Sequence, residues 1–170
     1  NDKQTRYQFP DQNNATPDGL LAVGGNLSQE CLLTAYSNGI FPWYSEDQPI
    51  MWWCPDPRPV LFPGSLKISR SLRKKIKHSN FTITMDRCFK EVVKECAKPR
   101  HKGSGTWITQ DMHNAYCDLY RIGYGHSVEV WTEDLLVGGL YGIALGKIFF
   151  GESMFCKESN ASKIALIGLD

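Results

Sequence analysis

The hydrophobic and polar positions change their period several times along the chain, and each change predicts an element. Apolar and polar residues alternate at Phe81–Met85 and at 127–131, which is typical of strands with one buried face. Two apolar, β-prone runs follow at 135–142 and 147–150, and a short glycine-containing turn separates them. We therefore predict a β-hairpin there, and we expect Gly151 to end its second strand.

Helical spacing of apolar residues appears in five segments, and most of them follow a residue that caps helices well. The predicted caps are Ser28 or Asn26, Ser69, Asp86 and Thr109. The predicted inner faces are Leu32, Leu33 and Tyr36; Leu72 and Ile76; Phe89, Val92, Val93 and Cys96; Met112, Ala115, Tyr116 and Leu119; and Ile164, Leu166 and Ile167. Gly39 and Gly123 suit the ends of the first and fourth of these helices.

Residues 39–63, GIFPWYSEDQPIMWWCPDPRPVLFP, hold three tryptophans and six prolines. Prolines are confined to the edges of sheets, so we predict a stiff aromatic loop. Core filling accounts for two of Trp43, Trp52 and Trp53, but we do not expect it to account for all three.

Charge is unevenly distributed, although the whole chain carries only +1. Residues 1–56 hold seven acids and two bases, whereas residues 57–85 hold seven bases and no acid. If Ser69 caps a helix, one face of it carries only cations, namely Arg70, Arg73, Lys74 and Lys77. A charged face is usually just solvated, but acids normally interrupt it, so we favour an anionic partner and nucleic-acid phosphate above others.

Glu152 follows Gly151 directly, with Phe149, Phe150 and Met154 close in sequence. A lone glutamate at the end of a strand usually faces solvent, whereas a carboxylate beside an apolar wall needs a partner or a role. Ser153 does not complete a serine-elbow motif, and the glycines at 142–147 do not form a phosphate loop. The remaining features suit RNA binding with something small and apolar held nearby.

Composition narrows the class of protein. The chain has 170 residues, of which 42% are hydrophobic and 22% charged, and no apolar run is long enough to span a bilayer. The start, NDKQTRYQFP, lacks the features of a secretory signal, so we expect a cytoplasmic protein with no membrane partner. Six cysteines without metal-site spacing are expected to be reduced, packed thiols, and no metal or cofactor is expected.

Several runs together resemble one known family. GLLAVGGNLS, GIFPWYS, MWWCPDPRPVLFP, ISRSLRK, GTWIT, HSVEVW, VGGLYG and FFGESMF followed by NASK are similar to the bacterial leucyl/phenylalanyl-tRNA–protein transferases. The resemblance implies an α+β protein with a small N-terminal domain, residues 1–56, and an acetyltransferase-like (GNAT-type) domain, residues 57–170. It also implies transfer of leucine, phenylalanine or methionine from aminoacyl-tRNA to an N-terminal arginine or lysine of a protein, which marks that protein for N-degron degradation.

The resemblance further implies roles for individual residues. Trp43 would stack on the terminal adenosine, with Trp107 by the same site, and Glu152 matches the active-site glutamate. The amino-acid pocket would be lined by Leu140, Phe149, Met154 and Leu166. The tRNA-binding set would be Arg70, Arg73 and Lys74, to which the charge pattern adds Lys77.

Family members continue beyond the position of Asp170, and that part carries a glutamine and an aspartate implicated in deprotonating the acceptor amine. We therefore expect the second domain to be incomplete at its C-terminus and the activity of a 170-residue form to be affected. A monomer is expected. The basic helix and aromatics alone would equally allow a non-catalytic RNA-binding module, and a small acyl-coenzyme A acetyltransferase would need a glycine loop that we do not find.

Overall fold

The structure is a computed structural model that describes residues 7–99 and 106–170. Residues 1–6, on which much of the secretory-signal argument depends, lie outside that range. The chain forms two compact units: Asn1–Arg58 with Pro99–Ala115, and Pro59–Lys98 with Tyr116–Asp170. The domains 1–56 and 57–170 stay a prediction.

Within the described residues, the first unit contains a small antiparallel sheet, one complete α-helix and the start of another. Its elements are a 3-10 turn at Gln12–Asn14, β1 (Leu20–Val23), α1 (Gln29–Ser37), β2 (Phe41–Pro42) and β3 (Met51–Trp53), with strand order β1-β3-β2. Ser28 caps α1 as predicted, because its side chain accepts a hydrogen bond from the Cys31 amide at 3.3 Å.

The prediction of a loop throughout residues 39–63 is wrong at β2 and at β3, and β3 is the central strand of this sheet. Only Pro42 enters the sheet among the prolines of that segment, and it lies on the edge strand β2, opposite Trp52. Trp52 is 2% exposed and donates a hydrogen bond to the Gly24 carbonyl at 2.9 Å. Core filling therefore explains Trp52.

The second unit contains a four-stranded antiparallel sheet with helices on both faces. Its strands are β4 (Phe81–Met85), β5 (Gly125–Thr132), β6 (Leu135–Leu145) and β7 (Ile148–Cys156), in that order across the sheet. The other α-helices among the described residues are α2 (Arg70–His78), α3 (Phe89–Cys96), α4 (Gln110–Arg121) and α5 (Ala161–Leu169). Helix α4 begins in the first unit and ends in the second. The α+β class is confirmed.

Two neighbouring glycines of β6 show how the sheet is covered. A Cβ atom on Gly138 would lie 2.5 Å from the Cβ of Ala161 in α5, whereas one on Gly139 would lie 3.5 Å from Val92 in α3. Successive residues of a strand point to opposite faces, so α5 and α3 cover opposite faces of the sheet. The two inner strands are consequently buried on both sides.

The predicted hairpin is confirmed, but its second strand does not end at Gly151. Strand β7 runs on to Cys156, and an irregularity in its pairing with β6 lies beside this glycine. A local pairing change, which sequence cannot distinguish from a break, explains the error.

Asp86 does not cap α3, contrary to prediction. It adopts a positive φ of 57°, and its carboxylate accepts a hydrogen bond from the Ser127 amide at 2.8 Å and lies 2.8 Å from His126 Nδ1. The helix instead begins after Cys88. The predicted inner face of α3 is confirmed, since its four members are all buried.

Glu129 is a fully buried carboxylate in the middle of β5. It accepts hydrogen bonds from the Thr84 hydroxyl at 2.6 Å, the Ser127 hydroxyl at 2.6 Å and the Cys88 amide at 3.3 Å. Burial, and then the charge of Glu129, raise the pKa of the Cys88 thiol to about 11. The hydrogen bonds from Thr84, Ser127 and Cys88 compensate the cost of burying the Glu129 carboxylate.

Within the described residues, no helix combines the length and the apolarity that crossing a membrane requires.

Candidate active site and nucleic-acid interface

Helix α2 carries exposed cations on one face and packs against the apolar core with the other. The Ser69 side chain accepts a hydrogen bond from the Leu72 amide at 3.2 Å, which confirms the predicted cap. Leu72 and Ile76 pack against the apolar core of the second unit. The other face carries exposed Arg70, Arg73, Lys74 and Lys77.

In the described part of the chain, none of these four cations lies within ion-pair distance of a carboxylate. Four like charges on one helix face repel each other, because residues three or four apart are neighbours. The face therefore carries a positive potential that an approaching polyanion would relieve.

Lys75 differs from the other bases of α2. Its ammonium donates a hydrogen bond to the Ser159 carbonyl at 2.5 Å and lies 5.8 Å from the centre of the Phe81 ring. Lys75 thus ties α2 to the chain that leads into α5. It also lines an open surface depression of about 490 Å³ with Ser71, Lys74 and His78, so the basic surface extends around the helix.

Trp43 is 49% exposed, unlike Trp52. Its amide donates to the Met51 carbonyl at 2.9 Å, and its own carbonyl accepts from the indole N–H of Trp53 at 2.7 Å. The two indoles meet edge to face, with centroids 5.7 Å apart. The Trp43 ring is therefore held in place while much of it remains accessible, and core filling does not explain it.

Trp107 is half-buried, and its carbonyl accepts a hydrogen bond from the Thr109 amide at 3.1 Å. Thr109 caps α4 as predicted, since its side chain accepts from the Met112 amide at 3.2 Å. Trp43 and Trp107 belong to the first unit, whereas the other predicted site residues belong to the second.

The predicted pocket residues gather on the side of the sheet that α5 covers. Leu140 belongs to the buried core of the second unit, and Phe149 and Leu166 pack against that core. Met154 lies opposite Leu140 in the pairing of β6 with β7 and is 37% exposed. Three of the four residues thus share one apolar cluster, with the flexible Met154 beside it at the surface.

Glu152 lies at the irregularity between β6 and β7. Tyr141 pairs with Ser153, and the next residue, Gly142, pairs with Gly151, so Glu152 is the additional residue of β7. Such bulges re-aim a side chain and are common next to active sites. The Glu152 carboxylate accepts a hydrogen bond of 2.8 Å from the hydroxyl of Tyr116 in α4.

Tyr141 lies next to this pair. Its ring meets that of Tyr116 edge to face at 5.3 Å, and its hydroxyl is buried with no hydrogen-bond partner among the described residues. Burial, and then the charge of Glu152, raise the pKa of Tyr141 well above the ordinary value, so its hydroxyl stays protonated.

The sequence predicts Tyr116 only as part of the inner face of α4, and it does not single out Glu129. The signal for Tyr116 is a polar-tipped aromatic on a buried helix face, because buried tyrosine hydroxyls usually have a partner. For Glu129 the signal is a charged residue between Val128 and Val130 in a strand that is buried on both faces.

The fold and these sites define a two-unit α+β protein that combines a basic helix, an apolar cluster and a carboxylate set on a β-bulge. The positive face of α2 favours the approach of a polyanion.

Comparison with known proteins identifies the family of this chain. The family model for leucyl/phenylalanyl-tRNA protein transferase matches residues 60–170, and the model for the N-terminal domain of that transferase matches residues 25–56. The chain belongs to the leucyl/phenylalanyl-tRNA protein transferase family, which is a family of aminoacyltransferases.

Relatives with the name leucyl/phenylalanyl-tRNA–protein transferase support this placement. The chain is 56% identical over 166 residues to one from Aromatoleum aromaticum, with 96% of this chain and 70% of the relative covered. It is 58% identical over 154 residues to one from Hydrogenovibrio crunogenus, with coverage of 90% and 60%, and 52% identical over 169 residues to one from Stutzerimonas stutzeri, with coverage of 98% and 75%. The chain therefore spans about two thirds of the length of these relatives.

Proposed function

We propose that this protein transfers leucine, phenylalanine or methionine from aminoacyl-tRNA to the N-terminal arginine or lysine of acceptor proteins, and so marks them for N-degron degradation. The observation that carries the proposal is the exposed cationic face of α2, in a chain whose relatives are named for a tRNA-dependent transfer. The proposal includes a GNAT-type second domain, a monomeric state and a cytoplasmic location.

The reaction requires little covalent assistance. The nitrogen of the acceptor amine attacks the ester carbonyl carbon, an amide bond forms and the ester bond to the terminal ribose breaks. The proton that the amine loses ends on the departing ribose oxygen, which leaves as a hydroxyl. An α-amine has a pKa of about 7.7–8.0 and is partly neutral in the cell. Holding amine and ester together can lower the barrier by about 7–11 kcal/mol, so positioning is the main task of the site.

Selection of the amino acid would fall to the cluster of Leu140, Phe149, Met154 and Leu166. One methylene is worth only about 1–3 kcal/mol in an apolar pocket, so size alone discriminates weakly. Leucine, phenylalanine and methionine are unbranched at Cβ, whereas valine and isoleucine carry an additional methyl there. A steric clash at Cβ would therefore reject the branched residues.

Replacing Arg73 and Lys74 with alanine is expected to weaken tRNA binding and to flatten its dependence on salt. Each lost phosphate contact should reduce the slope of log affinity against log salt by about one. Binding is measured by filter retention between about 50 and 200 mM salt. The control is Lys94→Ala on α3, which removes an exposed cation that lies 3.8 Å from Glu91. An unchanged slope in the double variant would place the tRNA elsewhere.

Trp43→Ala is expected to raise KM for aminoacyl-tRNA because a stacked base is lost, at a cost of about 1–3 kcal/mol. The melting temperature should change little, since Trp43 is half exposed. Trp43→Phe retains an aromatic face and should recover most of the affinity. If activity and melting temperature instead fall together in Trp43→Ala, the Trp43 ring contributes to packing and not to substrate binding.

A transfer assay tests the function itself. The protein at its natural length is given leucyl-, phenylalanyl- and isoleucyl-tRNA with peptides that begin with arginine or alanine. Transfer of leucine and phenylalanine to the arginine peptide, and none of isoleucine, is the expected result. Binding of tRNA without any transfer would instead support a non-catalytic RNA-binding module, which the basic helix and the aromatics alone would equally allow.

A further inference from the structure

The pleat of β7 does not determine the direction of the Glu152 side chain. In a regular strand each side chain points to a face that alternation sets, but Glu152 is the additional residue at a bulge, between Gly151 and Ser153. Its carboxylate also ends a flexible side chain with a broad terminal torsion. Something outside β7 must select its orientation.

The Tyr116 hydroxyl supplies that selection. It donates a 2.8 Å hydrogen bond to Oε2 of Glu152 across 36 residues of sequence. The Tyr116 residue is fully buried, and its ring meets Tyr141 edge to face at 5.3 Å. Tyr141 in turn meets Phe89 edge to face at 5.9 Å. The donor is thus fixed within a packed aromatic cluster.

We propose that Tyr116 is a positioning residue, which holds the Glu152 carboxylate in its working orientation through this hydrogen bond. The inference rests on the proposed function and on the predicted place of Glu152 as the active-site glutamate, whose carboxylate would attract the cationic end of the acceptor or orient its amine. A hydrogen bond to a carboxylate is shorter and stronger when the carboxylate is ionised, so the bond from the Tyr116 phenol constrains the direction of the Glu152 carboxylate.

Tyr116→Phe removes only the hydroxyl and keeps the ring. A misplacement of about 1 Å at a reacting group can cost about 100-fold in rate, so kcat is expected to fall about 10- to 100-fold. KM for aminoacyl-tRNA should stay within about threefold, because the tRNA contacts are elsewhere. Steady-state kinetics of leucine transfer to a peptide that begins with arginine measure both constants.

Tyr120→Phe is the matched control, one turn further along α4. It also removes a tyrosine hydrogen bond, from the hydroxyl of the half-buried Tyr120 to the Asp86 carbonyl at 3.1 Å, but this bond does not reach Glu152. Both variants should lower the melting temperature by similar amounts. Only Tyr116→Phe should lower kcat, and equal losses of kcat in both would overturn the proposal because they would indicate general loosening.

A double-mutant cycle with Glu152→Gln completes the test. If Tyr116 acts through Glu152, Tyr116→Phe should reduce kcat by less than about threefold in the Glu152→Gln background. Additive losses would show that Tyr116 acts independently and would overturn the inference. Wild-type kcat in Tyr116→Phe, with a slow Glu152→Gln, would also overturn it while leaving the proposed function intact. A wild type that transfers no amino acid would refute the proposed function, and the melting and tRNA-binding data would show that the protein is folded.

Discussion

Replacing Gly142 with alanine is expected to destabilise the protein by about 3 kcal/mol and to abolish most of its transfer activity. A Cβ atom at this position would lie 2.2 Å from the Phe150 carbonyl oxygen and 2.6 Å from the Phe149 ring. Overpacking a core costs about 1–3 kcal/mol, and the upper end applies because one of the contacts is backbone that cannot turn away. The strands β6 and β7 would have to separate beside Glu152.

Gly151→Ala is the control for this prediction, since Gly151 is the residue paired with Gly142. Its added Cβ would meet nothing nearer than the Phe149 ring at 4.0 Å, so the change should cost less than about 1 kcal/mol. Urea denaturation gives both free energies of unfolding, and the transfer assay gives the activities. Comparable stabilities for the two variants would show that β6 and β7 do not approach as closely as described.

Glu129→Ala is expected to lower the free energy of unfolding by about 3 kcal/mol, as much as Gly142→Ala, because hydrogen bonds are lost. The Trp131 indole N–H donates to the Thr84 hydroxyl at 2.8 Å, and that hydroxyl donates to Glu129. Removing the carboxylate leaves the Thr84 and Ser127 hydroxyls and the Cys88 amide without an acceptor. Each orphaned donor costs about 1–3 kcal/mol, and the relief of a buried charge offsets part of the sum.

Two further variants separate this network from a general effect of charge. Glu129→Gln keeps one acceptor oxygen but turns an amide donor towards another donor, so an intermediate loss is expected. Glu91→Ala removes an exposed carboxylate whose only ion pair among the described residues is 3.8 Å long, and it should cost less than about 0.5 kcal/mol. A loss below about 1 kcal/mol for Glu129→Ala would mean that the hydrogen bonds to Glu129 contribute little to stability.

Local features of the fold were readable from the sequence. Helix α2 is an example, because its cap at Ser69 and its apolar face at Leu72 and Ile76 depend on residues within one or two turns. The hairpin of β6 and β7 was predicted for the same reason. The positions of the site residues on these elements followed from that local pattern, whereas their roles stay a prediction.

Features that depend on distant partners were not readable. The sequence does not predict strand β3 because the prolines on either side of it suggest a loop, whereas its pairing with β1 and β2 determines the outcome. Asp86 was assigned to α3 by a local rule, but its partners His126 and Ser127 lie about 40 residues away. The contact of Tyr116 with Glu152 likewise joins segments that no short pattern connects.

The interleaving of the two units has a consequence for synthesis on the ribosome. The first unit consists of Asn1–Arg58 and Pro99–Ala115, so it cannot be completed when its first 58 residues have emerged. At about 5–20 residues per second, the second segment is complete about 3–11 s later. During that interval the first unit is incomplete, and residues 59–98 of the second unit have been synthesised between its two segments. A chaperone that binds nascent apolar segments therefore has an opportunity to bind the first unit while residues 59–115 are being added.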